Sequence, residues 1–156
     1  MFRHGIAEDA EPGRPDADRA LTDEGRKKIA EVVKAARRAG LQPSLIISSP
    51  YLRAIQTARV TVEDLGYKGE VVRTEALVPH GSPEAVWSEL RGYRAESAIL
   101  LAGHEPLLSR LVAYLLAAPG LRVEMKKAAM VRIDVESFGP APHGTLRWMI
   151  TPKLAG

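Results

Sequence analysis

Apolar positions along the chain fall into short runs separated by stretches where they recur every three or four residues. Residues 45–48, 70–74, 97–102, 128–136 and 145–150 read as strands, being short apolar or alternating runs bounded by turn residues. Helical patterns lie between the first four. In the clearest, Ile29, Val32, Val33 and Ala36 share one face, Thr22 is the expected N-cap, Asp23 and Glu24 sit in the first turn, and Gly40 is the stop. Three further helices are signalled by proline at the first helical position, in Ser49-Pro50, Ser82-Pro83 and Glu105-Pro106, where the absent N–H would have no helical partner. Their expected ends are Gly66, about Tyr93, and Pro119.

Strands alternating with helices imply an α/β fold of three layers, α/β/α, whose central sheet is mostly parallel. The helix-free last two strands form an antiparallel edge. No repeat or linker interrupts residues 1–156, a length suited to one domain. Two segments break the pattern. Residues 7–20 form a polar loop with two prolines, near the length of about 12 to 15 residues beyond which loops are usually functional, and are expected to border the site. At the start, only Met1 and Phe2 precede Arg3, whereas a strand usually needs about five residues. The native protein is therefore expected to begin several apolar residues upstream of Met1.

Composition narrows the function classes. Apolar residues make up 46% and charged ones 26%, a soluble globular mix. No run approaches the roughly 20 apolar residues of a membrane span, and no export signal opens the chain, so a cytoplasmic protein without membrane contact is expected. The net charge of +3 is spread over 22 basic and 19 acidic residues without a concentrated stripe, which argues against nucleic acid. There is no cysteine, hence no disulfide, thiolate or cysteine-zinc chemistry. His4, His80, His104 and His143 match no usual ligand spacing, so no metal or other cofactor is expected.

The residues left to carry chemistry converge. Arg3-His4-Gly5 leaves the first strand, Ser48-Ser49-Pro50 the second, and Gly103-His104-Glu105 the strand at 97–102. All three thus lie at carboxyl ends, where the ligand crevice of an open parallel sheet forms. The first strand is then expected to be central, so that His4 faces the other two segments. Glycine beside each histidine allows close approach of backbone and ligand. Arg53 falls in the first turn of a helix beginning at Pro50 and capped by Ser49, where a cation opposes the helix dipole. A bound anion among the free N–H groups would compensate it, as would a carboxylate paired across a helix.

Arg-His-Gly at the start, SSPYLRAIQTA at 48–58 and GHEP at 103–106 resemble the three signatures of the histidine phosphatase superfamily, the phosphoglycerate mutase-like proteins. Within it, RALTDEG at 19–25, LLAGHEPLLSRLVAYLL and the closing GTLRWMITP are similar to the phosphohistidine phosphatases. The likeness spans nearly the whole chain in family order. It implies a phosphoglycerate mutase-like fold, His4 as the phosphorylated nucleophile, and Arg3, Arg53 and His104 as the phosphate pocket. Two arginines and an imidazole suit a phosphoryl group whose equatorial oxygens must be neutralised during in-line transfer. His4 must attack through an unprotonated nitrogen, with its other nitrogen donating to a backbone carbonyl and the arginines holding the ring neutral. His104 is expected to be a protonated donor.

The chain departs from larger members of the superfamily between the second and third signatures. About 40 residues there leave no room for a cap domain. Glu75 and His80 are the candidate proton donors of that interval, and each also fits a solvated strand end or turn. Arg19, on the far side of the long loop, is a candidate for phosphate or substrate contact or for anchoring the loop. The implied activity is a metal-independent phosphatase acting on phosphohistidine of a partner protein such as a phosphotransfer domain, working as a monomer. The alternatives are a phosphatase of small esters and a noncatalytic module that binds phosphorylated partners.

Overall fold

The computed structural model describes residues 1–156. Its strands are β1 (Phe2–Arg3), β2 (Leu45–Ser48), β3 (Val71–Arg73), β4 (Ile99–Gly103), β5 (Met130–Val135) and β6 (Gly144–Ile150). Its α-helices are α1 (Asp23–Arg38), α2 (Leu52–Leu65), α3 (Pro83–Leu90), α4 (Leu107–Leu115) and a short α5 (Pro152–Ala155). One sheet runs in the order β3-β2-β4-β1-β5-β6, parallel from β3 to β1 and antiparallel from β1 to β6. β1 is central, as expected. No helix is long and apolar enough to cross a membrane.

Alternation along the strands builds two cores. Ile46, Leu100 and Met130 face α1 and α2 and pack with Phe2, Ile29 and Val33. Their neighbours Ile47, Leu101 and Val131 face α3 and α4 and pack with Trp87, Leu108 and Leu111. Successive strand residues point to opposite faces, and both faces are covered by helices, so these strands read as unbroken apolar runs. No cap domain is present; the interval between α2 and α4 is used up by β3, α3, β4 and two single 3-10 turns.

Of the three prolines expected at a first helical position, only Pro83 occupies it, after the Ser82 cap. α2 begins at Leu52 with Tyr51 as its N-cap, because Ser49 Oγ accepts the Tyr51 N–H at 3.3 Å in a turn that holds Pro50 outside the helix. Ser49 therefore shapes the turn before α2 and is not its cap. α4 begins at Leu107 with Pro106 as its N-cap, and the Glu105 carboxylate accepts from Ser109 N at 2.8 Å. β5 starts later than its apolar run because Ala128 has φ 58°, a left-handed conformation that a strand cannot include.

Candidate active site

The carboxyl ends of β1, β2 and β4 are joined by backbone bonds just beyond the sheet. His4 N donates to Gly103 O at 3.0 Å and Ser49 N to Ala102 O at 2.9 Å. The imidazoles of His4 and His104 are thereby brought to 5.0 Å between centroids, inclined at 53°. Arg53, the second residue of α2, reaches in from the side. Its Nε donates to His4 Nε2 at 3.3 Å, and its stem is buried with Tyr51 beneath the guanidinium. Arg3 Nη1 donates to Met125 O at 2.6 Å. The structure thus unites the four residues expected to form the pocket.

His4 has a defined tautomer. Nδ1 lies 2.7 Å from the Gly5 carbonyl, which can only accept, so Nδ1 carries the proton and Nε2 presents a lone pair to Arg53. Burial, reinforced by Arg53, Arg3 and Lys127, pushes the imidazole down to about 3 against the pull of the Gly5 carbonyl. Burial does more here than the two arginines invoked from the sequence. His104 is pushed down to about 2, first by burial and then by His4 and Arg53. The expected imidazolium is therefore corrected: burial disfavours the charged form of the His104 ring. Its Nε2 lies 2.7 Å from Ser49 Oγ, while its Nδ1 and Arg3 Nε are buried without partners, unsatisfied atoms suited to an anion's oxygens.

Both histidines bind fewer protons folded than unfolded, where the ordinary value is about 6.5. The neutral-ring contribution to stability is complete above that pH. It is lost as pH falls through the interval between about 6.5 and about 3, at up to roughly 1.4 kcal/mol per pH unit for each ring. Urea unfolding between pH 7 and 4, in buffer free of phosphate and sulfate, should show this acid sensitivity. His104→Gln should flatten the slope; an unchanged slope would mean that this ring is not held neutral.

The loop at 7–20 borders the site through a residue that the sequence did not single out, Asp16. In the 3-10 turn Asp16–Asp18, its carbonyl accepts from Arg53 Nη1 at 2.7 Å and its carboxylate from Arg53 Nη2 at 3.0 Å. The anion opposite Arg53 is thus internal. Partial burial would raise the Asp16 carboxyl, but Arg53 and then Arg19 outweigh it and hold it below the usual range. Arg19 donates to Asp16 at 2.8 Å and to Glu8 O at 2.9 Å, so it anchors the loop and orients Asp16 without touching either histidine.

Other assignments shift. Glu75 and His80 are exposed, and neither side chain bonds to a pocket residue. His143 lies in the β5–β6 connection at the opposite end of the sheet, and no group of side chains is arranged to hold a metal ion. Gly5 serves packing more than ligand approach: a Cβ there would meet Ile29 Cδ1 at 2.6 Å, and one at Gly25 would collide with the Ile6 carbonyl. α1 therefore presses directly on the segment behind His4. Thr57, one turn after Arg53, accepts Gly5 N–H at 3.3 Å and ties α2 to the same segment. Its spacing of four from Arg53 was the available signal, as the flagged loop was for Asp16.

Two arginines and two imidazoles thus stand at the carboxyl edge of a three-layer α/β sheet. Residues 1–78 match the histidine phosphatase superfamily (branch 1), and the chain belongs to that family. An uncharacterized protein of Picosynechococcus sp. is 34% identical over 135 residues, 84% of this chain and 81% of that one. Among solved structures, the protein histidine phosphatase SixA complexed with tungstate superposes with a TM-score of 0.86 at 24% identity, covering 97% of this chain and 95% of that one. The mycobacterial glucosyl-3-phosphoglycerate phosphatase superposes at 0.70 with 21% identity, covering 94% of each chain. At such identities the two structures establish a shared fold.

Proposed function

We propose that this protein is a phosphohistidine phosphatase in which His4 takes a phosphoryl group from a phosphorylated histidine of a partner protein and passes it to water. The observation carrying this reading is the buried His4 ring, with its proton on Nδ1 and its Nε2 lone pair turned to Arg53. In the first step the Nε2–P bond forms as the substrate's N–P bond breaks, and the departing imidazole takes a proton from solvent. In the second, a water oxygen attacks phosphorus, the Nε2–P bond breaks, phosphate leaves, and the water proton passes to solvent. Arg3 and Arg53 neutralise the equatorial oxygens in both steps, and the His104 ring faces them as a hydrogen-bonding partner.

Leaving-group chemistry favours phosphohistidine. Imidazole departs as a weak base whose conjugate acid titrates near 6.5, whereas an alkoxide needs a proton delivered in the transition state, a service worth about 10² to 10⁴ in rate. No side chain bonded to the two histidines is an evident donor: the Asp16 carboxylate lies between two arginines, and Glu75 and His80 make no bond to a pocket residue. kcat/KM for a phosphorylated histidine-containing transfer domain should exceed that for sugar and alkyl phosphates by about 100-fold or more. The small-ester alternative draws on the fold shared with the glucosyl-3-phosphoglycerate phosphatase. A small ester preferred by tenfold, with Glu75→Gln or His80→Ala removing that activity, would decide for it.

Access is not as open as the lack of a cap suggests. His4 is only 6% and Arg53 3% exposed, and Asp16 of the loop at 7–20 occupies the Arg53 fork. An incoming phosphoryl group must displace Asp16 from the Arg53 fork, exchanging one carboxylate for a more highly charged anion. Asp16→Asn should therefore lower the inhibition constant of inorganic phosphate by about tenfold, as expected for losing one charge-assisted contact. Unchanged inhibition with a lower melting temperature would reduce Asp16 to an anchor of the loop.

A further inference from the structure

A neutral imidazole has one proton for two nitrogens, so one nitrogen donates and the other accepts. For His4 the Gly5 carbonyl decides which is which. At His104 the decision falls to Ser49, a fully buried residue in the turn between β2 and α2. Its Oγ lies 2.7 Å from His104 Nε2, and the Tyr51 ring meets the imidazole edge-on at 5.0 Å between centroids. The ring is thus held at one nitrogen and along one side. Its other nitrogen, Nδ1, is buried without a partner, a condition shared in this pocket only by Arg3 Nε.

Ser49 is itself firmly placed. Its N–H donates to Ala102 O at 2.9 Å, and its carbonyl accepts from Ser48 Oγ at 2.8 Å. Its Oγ accepts the Tyr51 N–H at 3.3 Å, which engages one lone pair and leaves the hydroxyl hydrogen to be matched. The only bonded neighbour able to accept that hydrogen is His104 Nε2. In the opposite arrangement, with Nε2–H donating to Ser49, the hydroxyl hydrogen would be stranded in a buried site. The Nδ1 lone pair, instead of a proton, would then meet any bound anion. Both consequences are costly, since buried donors need acceptors.

We propose that Ser49 is a positioning residue: its hydroxyl donates to His104 Nε2, which keeps the ring's proton on Nδ1 and presents an N–H to an oxygen of the phosphoryl group. The identity of that anion rests on the function proposed above, whereas the tautomer rests on contacts inside the protein. A donor of this kind suits the site. Arg3 and Arg53 already supply positive charge, and an uncharged N–H adds a directed hydrogen bond without a third cation beside them. The burial that holds down the charged form of the ring acts in the same sense.

The tautomer is read by heteronuclear NMR of the imidazole nitrogens, with His104→Gln used to assign the signals of this ring. In the anion-free wild-type protein near neutral pH, Nδ1 should be the protonated nitrogen and Nε2 the unprotonated one. Inorganic phosphate should move the Nδ1 signal more than the Nε2 signal. Ser49→Ala should shift part of the proton to Nε2 and raise the dissociation constant of inorganic phosphate in calorimetry by about tenfold, the scale of one hydrogen bond to a charged group. Ser49→Thr keeps the hydroxyl and should restore the wild-type tautomer. A proton on Nε2 of the wild-type ring, alone or together with one on Nδ1, would overturn the proposal. So would a Ser49→Ala variant with tautomer and phosphate affinity unchanged. Should Ser49→Ala not fold, the wild-type spectrum still decides between the two tautomers. Failure of the phosphohistidine reading would show elsewhere, as a preference for small esters, and would leave these ring signals as stated.

Discussion

Alanine at His4 is expected to abolish turnover while the protein remains folded. The chemical half follows from the mechanism, since without Nε2 no phosphoenzyme forms. Loss of an attacking group of this kind costs about 10⁴-fold or more in kcat. The structural half follows from what holds this residue: its backbone N–H donates to Gly103 O and its carbonyl accepts from Ala128 N, each at 3.0 Å, and both bonds survive truncation of the ring. The ring itself bonds only to the adjacent Gly5 carbonyl and to Arg53. Stability near neutral pH should thus fall modestly, by about 1 to 3 kcal/mol for a buried polar side chain lost with its contacts. Below pH 5 the variant should close that deficit, because the wild-type ring takes up a proton only on unfolding, which favours its unfolded state at acid pH. Trapping the phosphoenzyme at low temperature and mapping the modified residue checks the assignment directly. Wild-type rates in His4→Ala, or phosphate mapped to another residue, would overturn it.

Arg53→Ala should slow the reaction by roughly 100-fold or more, about 3 kcal/mol, the typical loss for one preorganised donor acting on developing charge. The guanidinium bridges His4 and the loop, with Nε on the His4 ring and both Nη atoms on Asp16. Its removal therefore does two things: it takes a charged fork from the phosphoryl oxygens and releases the loop. Arg53→Lys separates them, because lysine keeps the charge and loses the planar fork, and it should recover only part of the rate. In the Arg53→Ala background, Asp16→Asn should no longer tighten phosphate, since the contact it relieves is already gone. A change below threefold in kcat/KM for Arg53→Ala would place this residue outside the reacting pocket.

Much of the architecture was legible because its causes are local. Apolar runs and helical recurrences marked β2 to β6 and α1 to α4 within a few residues, and Gly40 and Gly66 marked helix ends at φ 85° and 64°. Misplaced helix starts at Pro50 and Pro106 came from reading proline position alone. The Ser49 hydroxyl and the Glu105 carboxylate satisfy backbone groups that set where those helices begin. A single proline cannot reveal such competition, because it depends on which side chain folds back onto the main chain.

By itself the sequence determined the layered α/β architecture, the central place of the first strand, and the meeting of Arg3, His4, Arg53 and His104 at one edge of the sheet. The first follows from short-range periodicity, and the other two join the rule that parallel strands present their carboxyl ends together to the family signatures carried by these residues. Only the tertiary structure decided how those residues are charged and partnered. Asp16 reaches Arg53 across 37 positions, and Ser49 reaches His104 across 55. Neither separation has a periodic trace. The neutrality of both imidazoles is likewise absent from any local pattern, for it arises from desolvation, and desolvation is set by everything that packs around a group once the chain has closed.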